Sequence, residues 1–149
     1  MAERAVSSVL FACNLNRVRS PMAAALLRRL TGGLVFADSC GLRAGDDIDP
    51  FVLAAMEEVG LDLGDHRPKT FDQLEDGSFD LVISLTPEAH HRAVEMALAR
   101  AVKIEYWPTP DPTLVLGSRE HRLEAYRQVR DALEVRLAAR FGRPSTFGG

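Results

Sequence analysis

Cysteine is scarce: Cys13 and Cys40 are the two thiols in a chain of 149 residues. Two thiols cannot build a disulfide framework, and alone they cannot make a structural zinc site, which leaves inert core thiols or a reactive nucleophile. Lysine is scarce too, since 16 of the 18 basic residues are arginine. That bias is ascribed to base composition and is given no function except at Arg19. No apolar run approaches the roughly 18 residues needed to cross a bilayer. The first residues carry only Arg4 as a positive charge, and the apolar run at 9–13 is too short for a signal-peptide core, so the chain is expected to be cytoplasmic. A net charge of -3 gives no global basic field for nucleic acid. What is present, 46% hydrophobic and 26% charged residues, is the balance of a folded chain rather than a disordered one. The length suits one domain over residues 1–149, with 142–149 expected as a frayed, flexible tail.

Four strands are expected, at 9–12, 34–37, 79–85 and 102–107, because each is a short apolar run bounded by turn residues. Helices are expected between them. The first spans 20–30, with Ser20 as N-cap, Pro21 at the first helical position and Gly32-Gly33 as the stop. The second opens at Asp49-Pro50 and ends at Gly60. The third follows Thr86-Pro87 to about residue 100. The fourth covers 118–140, with Leu123, Tyr126, Val129, Leu133 and Leu137 on one face. Residues 61–77 read as polar loop with one helical turn, and the three prolines of 107–112 demand a loop. Strands alternating with helices imply an α/β fold with a parallel sheet and helices on both faces. Ligands then belong at the carboxyl ends of the strands, at 13–19, 38–47, 86–87 and 107–113. No repeat or linker interrupts the chain.

The chemistry concentrates in Cys13-Asn14-Leu15-Asn16-Arg17-Val18-Arg19-Ser20-Pro21, between a buried strand and a helix. A loop there aims backbone N–H groups, reinforced by the positive end of the helix, at an anion such as phosphate. Asn14, Leu15, Asn16, Arg17, Val18, Arg19 and Ser20 would form that cradle, with Cys13 at its floor. Helix N-termini and nearby arginines favour the thiolate form of a cysteine. Arg19 can return over the loop and grip two phosphate oxygens. A thiolate facing a bound phosphorus is a nucleophile in attack position. Cys-x5-Arg alone is common in a chain this rich in arginine, and the Ser-Pro that follows makes the run specific. The plain alternative is a buried cysteine ending a strand beside a surface arginine. Asn16 is expected in the left-handed region, which Asn tolerates better than most residues.

The segment resembles the active-site loop of the low-molecular-weight protein tyrosine phosphatase family, whose scaffold is shared by arsenate reductases. The resemblance continues through Asp38-Ser39, Asp65-His66-Arg67, Phe79-Asp80, Asp111-Pro112 and the long last helix. It implies a three-layer sandwich around a four-stranded parallel sheet, and hydrolysis of phosphate monoesters, including protein phosphotyrosine, through a phosphocysteine. It implies Cys13 as nucleophile and Asp111 as the general acid that protonates the leaving oxygen and then activates water. It also implies that the Asn16 side chain is held by Ser20, Ser39 and His66, a supporting shell for the loop. Blander roles stand beside these: turn initiation for Asp111, helix capping for Ser20 and an exposed loop position for His66. His90, His91 and His121 have no metal-ligand spacing and read as helix surface. No metal or organic cofactor is called for.

The chain departs from the family in four places. Leu15 stands where Gly is usual, Val18 where many members carry a second Cys, and Thr86 where Asp is frequent. Thr113 and Leu114, with Leu42, Arg43 and Gly45, stand where aromatic rings usually flank the pocket, so walls for stacking on a phosphotyrosine are thin. Trp107 is the one candidate substitute. The expected partner is a phosphorylated substrate, protein or small molecule, with neither nucleic acid nor membrane, and the sequence fixes no oligomeric state. Two further functions compete with the phosphatase. One is an arsenate reductase drawing on an external thiol, since no Cys follows Cys40. The other is a non-catalytic oxyanion or phosphoprotein-binding module. A Cys13–Cys40 bridge would require the two strand ends to bring the thiols together.

Overall fold

The computed structural model describes residues 5–75 and 77–142. Four strands, β1 (Ser8–Cys13), β2 (Phe36–Gly41), β3 (Leu81–Ser84) and β4 (Lys103–Tyr106), form one sheet in the order β2-β1-β3-β4. Every neighbouring pair is parallel. The four helices are α1 (Arg19–Leu30), α2 (Pro50–Glu57), α3 (Pro87–Ala99) and α4 (Arg119–Phe141). Short 3-10 turns occupy Phe71–Gln73 and Pro112–Leu114. The expected three-layer α/β sandwich with a four-stranded parallel sheet is the fold observed.

The pleat divides the core in two. Val9, Phe11, Cys13, Leu81 and Ile83 face one side and pack with residues of α1, α2 and α4. Leu10, Ala12, Cys40 and Val82 face the other, with Ala89 and Ala93 of α3 and the rings of Phe71 and Phe79. Strand residues alternate faces, so β1 is buried on both, as the sandwiched strands of a parallel sheet must be. The chain order reverses at β1: β2 lies on one side of it and β3 on the other. The crevice beyond its carboxyl end is the switch point of the sheet, and Cys13 is the last residue of β1.

Several boundaries differ from expectation. β2 begins two residues later than expected and continues through Asp38–Gly41, the start of the loop expected over 38–47. Leu34 is 87% exposed. The register Ser8↔Phe36 to Cys13↔Gly41 carries the polar residues into the strand, and they are satisfied there. The Asp38 carboxylate meets the Lys69 ammonium at 2.7 Å, and Ser39 meets Asn16. β3 and β4 are shorter than the apolar runs that announced them, and α2 stops at Glu57 rather than at Val59.

α1 starts at Arg19, with Val18 at the cap position and no side-chain cap bond, so Ser20 is not the N-cap but lies inside the first turn. Seven residues run from Pro21 to Leu27, and all are buried because α1 is covered on one side by the sheet and on another by α4. Asp49 and Thr86 cap α2 and α3, accepting from the N–H groups of Phe51 and Ala89. Of the expected tail, residues 143–149 lie outside the described residues. No helix among the described residues is long and apolar enough to cross a membrane.

Candidate active site

Residues 14–18 turn from β1 into α1, and their carbonyls are tied outward. The carbonyls of Cys13, Asn14 and Leu15 accept from the N–H groups of Leu42, Arg43 and Gly45, and that of Arg17 accepts from Asp49. The Asn16 carbonyl accepts from His66 Nε2 at 2.8 Å. Among the described residues, no backbone N–H from Asn14 to Val18 has a protein acceptor. A loop with its carbonyls bound and its N–H groups free has the geometry that can receive an anion.

Asn16 holds this shape. It is buried, and at φ 59° it is the one non-glycine residue of positive φ among the described residues. Its Nδ2 donates to Ser20 Oγ and Ser39 Oγ, both at 2.9 Å, and its Oδ1 accepts from the Lys69 N–H at 2.9 Å. Leu15, where the family favours Gly, therefore sits in ordinary backbone and pays no left-handed strain. His66 acts on the Asn16 main chain, not on its side chain as expected. Burial pushes the His66 pKa down from 6.5, against the pull of its bond to Asn16. A carbonyl can only accept, so Nε2 carries the proton of the neutral ring.

Gly41 makes the close approach possible. A Cβ there would meet Arg43 O and Asn16 N at 2.8 Å and Asn14 O at 2.9 Å, all main chain. Its N–H donates to the Lys69 carbonyl. Gly41 and Lys69 were not anticipated as parts of this shell, because each works through its backbone.

Cys13 Sγ is 2.9 Å from Ser20 Oγ and faces a cleft of about 300 Å³. Arg19 reaches back over the loop. Its Nη1 donates to the Thr109 carbonyl at 2.9 Å, and its Nη2 stands 3.9 Å from Asp111 Oδ2. Asp111 Oδ1 accepts from the N–H and hydroxyl of Thr113, so one oxygen initiates the turn while the other faces Arg19. The turn-forming and cleft-facing placements thus hold together. Thr86 donates to Asn14 Oδ1 at 2.7 Å, tying the first loop side chain to the start of α3. Arg17 donates to the Asp47 carbonyl and lies over Gly45, where a Cβ would collide with it.

Two residues lining the cleft were not anticipated. Asp49 Oδ2 accepts from the Tyr126 hydroxyl at 2.9 Å, and burial together with that carboxylate pushes the Tyr126 pKa up. Trp107 does not line the cleft. It is buried against α4, donating to Glu105. His90 is not helix surface either, for its ring stacks on Tyr106 and bonds Ser84 Oγ. His91 and His121 are exposed, as expected. Cys13 and Cys40 belong to opposite faces of the sheet, which separates the two thiols. Burial pushes the Cys40 thiol strongly up in pKa, the mark of an inert core thiol. Among the described residues, no three His, Cys, Asp or Glu side chains gather as a metal site.

A parallel α/β sheet with an arginine-spanned oxyanion loop and a cysteine at its floor defines a class of cysteine-based oxyanion-binding proteins. The chain belongs to the low molecular weight phosphotyrosine protein phosphatase family, whose model matches residues 8–141. It is 29% identical over 132 residues to the glutaredoxin arsenate reductase of Synechocystis sp., covering 89% of this chain and 94% of that protein. It is similar to a YwlE mutant from Bacillus subtilis, at 28% identity and TM-score 0.70 over 87% of this chain and 93% of that one. Another YwlE structure, an arginine phosphatase with a phosphorylated active-site serine, matches at 27% identity and TM-score 0.68, over 87% and 90% of the two chains.

Proposed function

We propose that the protein is a cysteine-dependent phosphatase that hydrolyses phosphate monoesters through a phosphocysteine. The observation that carries the reading is one cleft holding Cys13 Sγ, the free N–H groups of the loop and an Arg19–Asp111 pair at 3.9 Å. The loop N–H groups and the Arg19 guanidinium bind the non-bridging oxygens. Cys13 sulfur attacks phosphorus as the ester bond breaks, and Asp111 delivers a proton to the departing oxygen. Asp111 then takes a proton from the water that cleaves the S–P bond, releasing phosphate and the thiolate. Ser20, Ser39, Asn16 and His66 keep the loop in shape.

Turnover of a nitrophenyl phosphate and an alkyl phosphate by wild type, Cys13→Ser and Asp111→Asn tests this. Cys13→Ser should abolish both activities. Asp111→Asn should cost about 10²–10⁴-fold with the alkyl leaving group and much less with nitrophenolate, which needs little protonation. Phosphate binding without turnover by the reduced wild type would instead identify a binding module.

The arsenate reductase of Synechocystis supports a second reading, arsenate reduction on the same cleft. Arsenate to arsenite takes two electrons. Cys13 and one external thiol would supply them by forming a mixed disulfide, which a further external thiol would reopen. Arsenate-dependent oxidation of glutathione, with or without a glutaredoxin, measures it.

A further inference from the structure

The mouth of the cleft carries cations that the fold does not neutralise. Arg17, Arg19, Arg43 and Arg122 line it, against Asp49 and Asp111. Most of these groups are already engaged. Asp49 divides its oxygens between the Phe51 N–H and the Tyr126 hydroxyl, Arg17 serves the Asp47 carbonyl, and Arg19 serves Thr109 and faces Asp111. Arg43 and Arg122 have no carboxylate partner among the described residues, and Arg122 lies over the Phe51 ring at 4.7 Å. On the same helix as Arg122, the fold pairs Arg127, Arg130 and Arg140 with carboxylates. Arg119 and Arg136 of the same helix also lack a carboxylate partner among the described residues and lie over rings instead; what sets Arg43 and Arg122 apart is that they line the cleft.

Among the described residues, the mouth also has no aromatic wall open to a ligand. Tyr126 is buried, with its ring stacked on Phe51 and its hydroxyl held by Asp49, and Trp107 borders a different groove. A leaving group here meets guanidinium groups rather than a stacking surface. We infer that the substrate is a phosphate monoester carrying a second anionic group near the ester, a carboxylate or another phosphate, which Arg43 and Arg122 bind while the first phosphate sits over Cys13. The inference rests on the phosphatase reading of the cleft and adds the substrate class. Guanidinium groups suit either anion, since both accept paired N–H bonds. The concave, low-dielectric wall strengthens the field they present.

Equilibrium binding of benzylphosphonate and of its 4-carboxy derivative to the full chain tests the site without requiring turnover. The carboxylate should tighten binding at least about fivefold at low salt. The advantage should shrink as rising salt shortens the screening length below about 8 Å. Arg43→Gln and Arg122→Gln should each cut it, and Arg43 is exposed, so its replacement leaves the core untouched. Equal affinity for the two ligands, or an advantage that survives both variants, overturns the inference. Turnover of phenyl phosphate, measured in parallel, separates the two ideas. Turnover without a carboxylate advantage leaves the phosphatase and removes the second-anion site. An advantage without turnover leaves the site and removes the phosphatase. Phosphopeptides with neutral or acidic flanks, run against small phosphocarboxylates, decide whether the second anion belongs to a protein or to a metabolite.

Discussion

Cys13 Sγ and Ser20 Oγ lie 2.9 Å apart, across the bend where the first strand becomes the first helix. The Ser20 hydroxyl accepts from Asn16 Nδ2, and its single proton has two possible acceptors, Cys13 sulfur and the Cys40 carbonyl at 3.3 Å. With a thiol at Cys13 the proton serves the carbonyl. With a thiolate it turns to the sulfur. Ser20 is therefore a donor kept ready for the anion.

Ser20→Ala removes that donor. Alkylation of Cys13 by iodoacetate at pH 7 should slow about tenfold, the scale of one hydrogen bond to a charged group. Stability should fall by only about 1 kcal/mol, since Asn16 Nδ2 keeps Ser39 as an acceptor. Alkylation at the wild-type rate would reduce Ser20 to a packing role.

Gly41→Ala tests the close approach of the loop to the second strand. The added methyl has only main-chain atoms to displace, at 2.8–2.9 Å, so relief must come from the loop itself. A loss of about 1–3 kcal/mol in thermal or urea unfolding is expected. Phosphate should raise the melting temperature of the wild type, and that rise should disappear in the variant. A variant still stabilised by phosphate would show that the loop can yield without losing its shape.

His66 predicts a pH dependence of known sign. Burial holds its folded-state pKa below 6.5. Between that depressed value and 6.5 the unfolded chain binds more protons than the native one, so the His66 contribution to stability rises with pH through that window. His66→Gln can still donate to the Asn16 carbonyl but does not titrate. The wild type should therefore lose more stability than the variant when the pH falls from 7 to 5, as read from urea midpoints. Parallel curves would mean that His66 does not report the loop's protonation.

The residues legible from spacing alone are those whose partners lie close along the chain, whereas Ser39, His66 and Asp111 came only through the resemblance to the family. Cys13, Asn16, Arg19 and Ser20 share one bend, and its strand-loop-helix setting fixes their neighbourhood. The helix faces were legible for the same reason, as in the buried positions of Leu123, Tyr126, Val129, Leu133 and Leu137. Asp38–Gly41 misled because its polarity fits a loop, when Lys69 and Asn16 satisfy those side chains inside a strand. The contacts from Asn14 to Thr86, from Asn16 to Lys69 and from Asp49 to Tyr126 join residues 53 to 77 positions apart. Periodicity tells which side of an element is apolar, but not which distant element supplies a partner. Backbone roles such as that of Gly41 leave even less trace.

The two sulfurs point to opposite sides of the sheet, and Val18 stands where many relatives keep a spare thiol beside the nucleophile. A sulfenic acid formed at the cleft floor would find no second thiol on its side of the sheet to form a disulfide with. Its rescue before irreversible oxidation would fall to whatever small thiols the surroundings offer, which makes the protein's tolerance of peroxide a property of its milieu rather than of its fold.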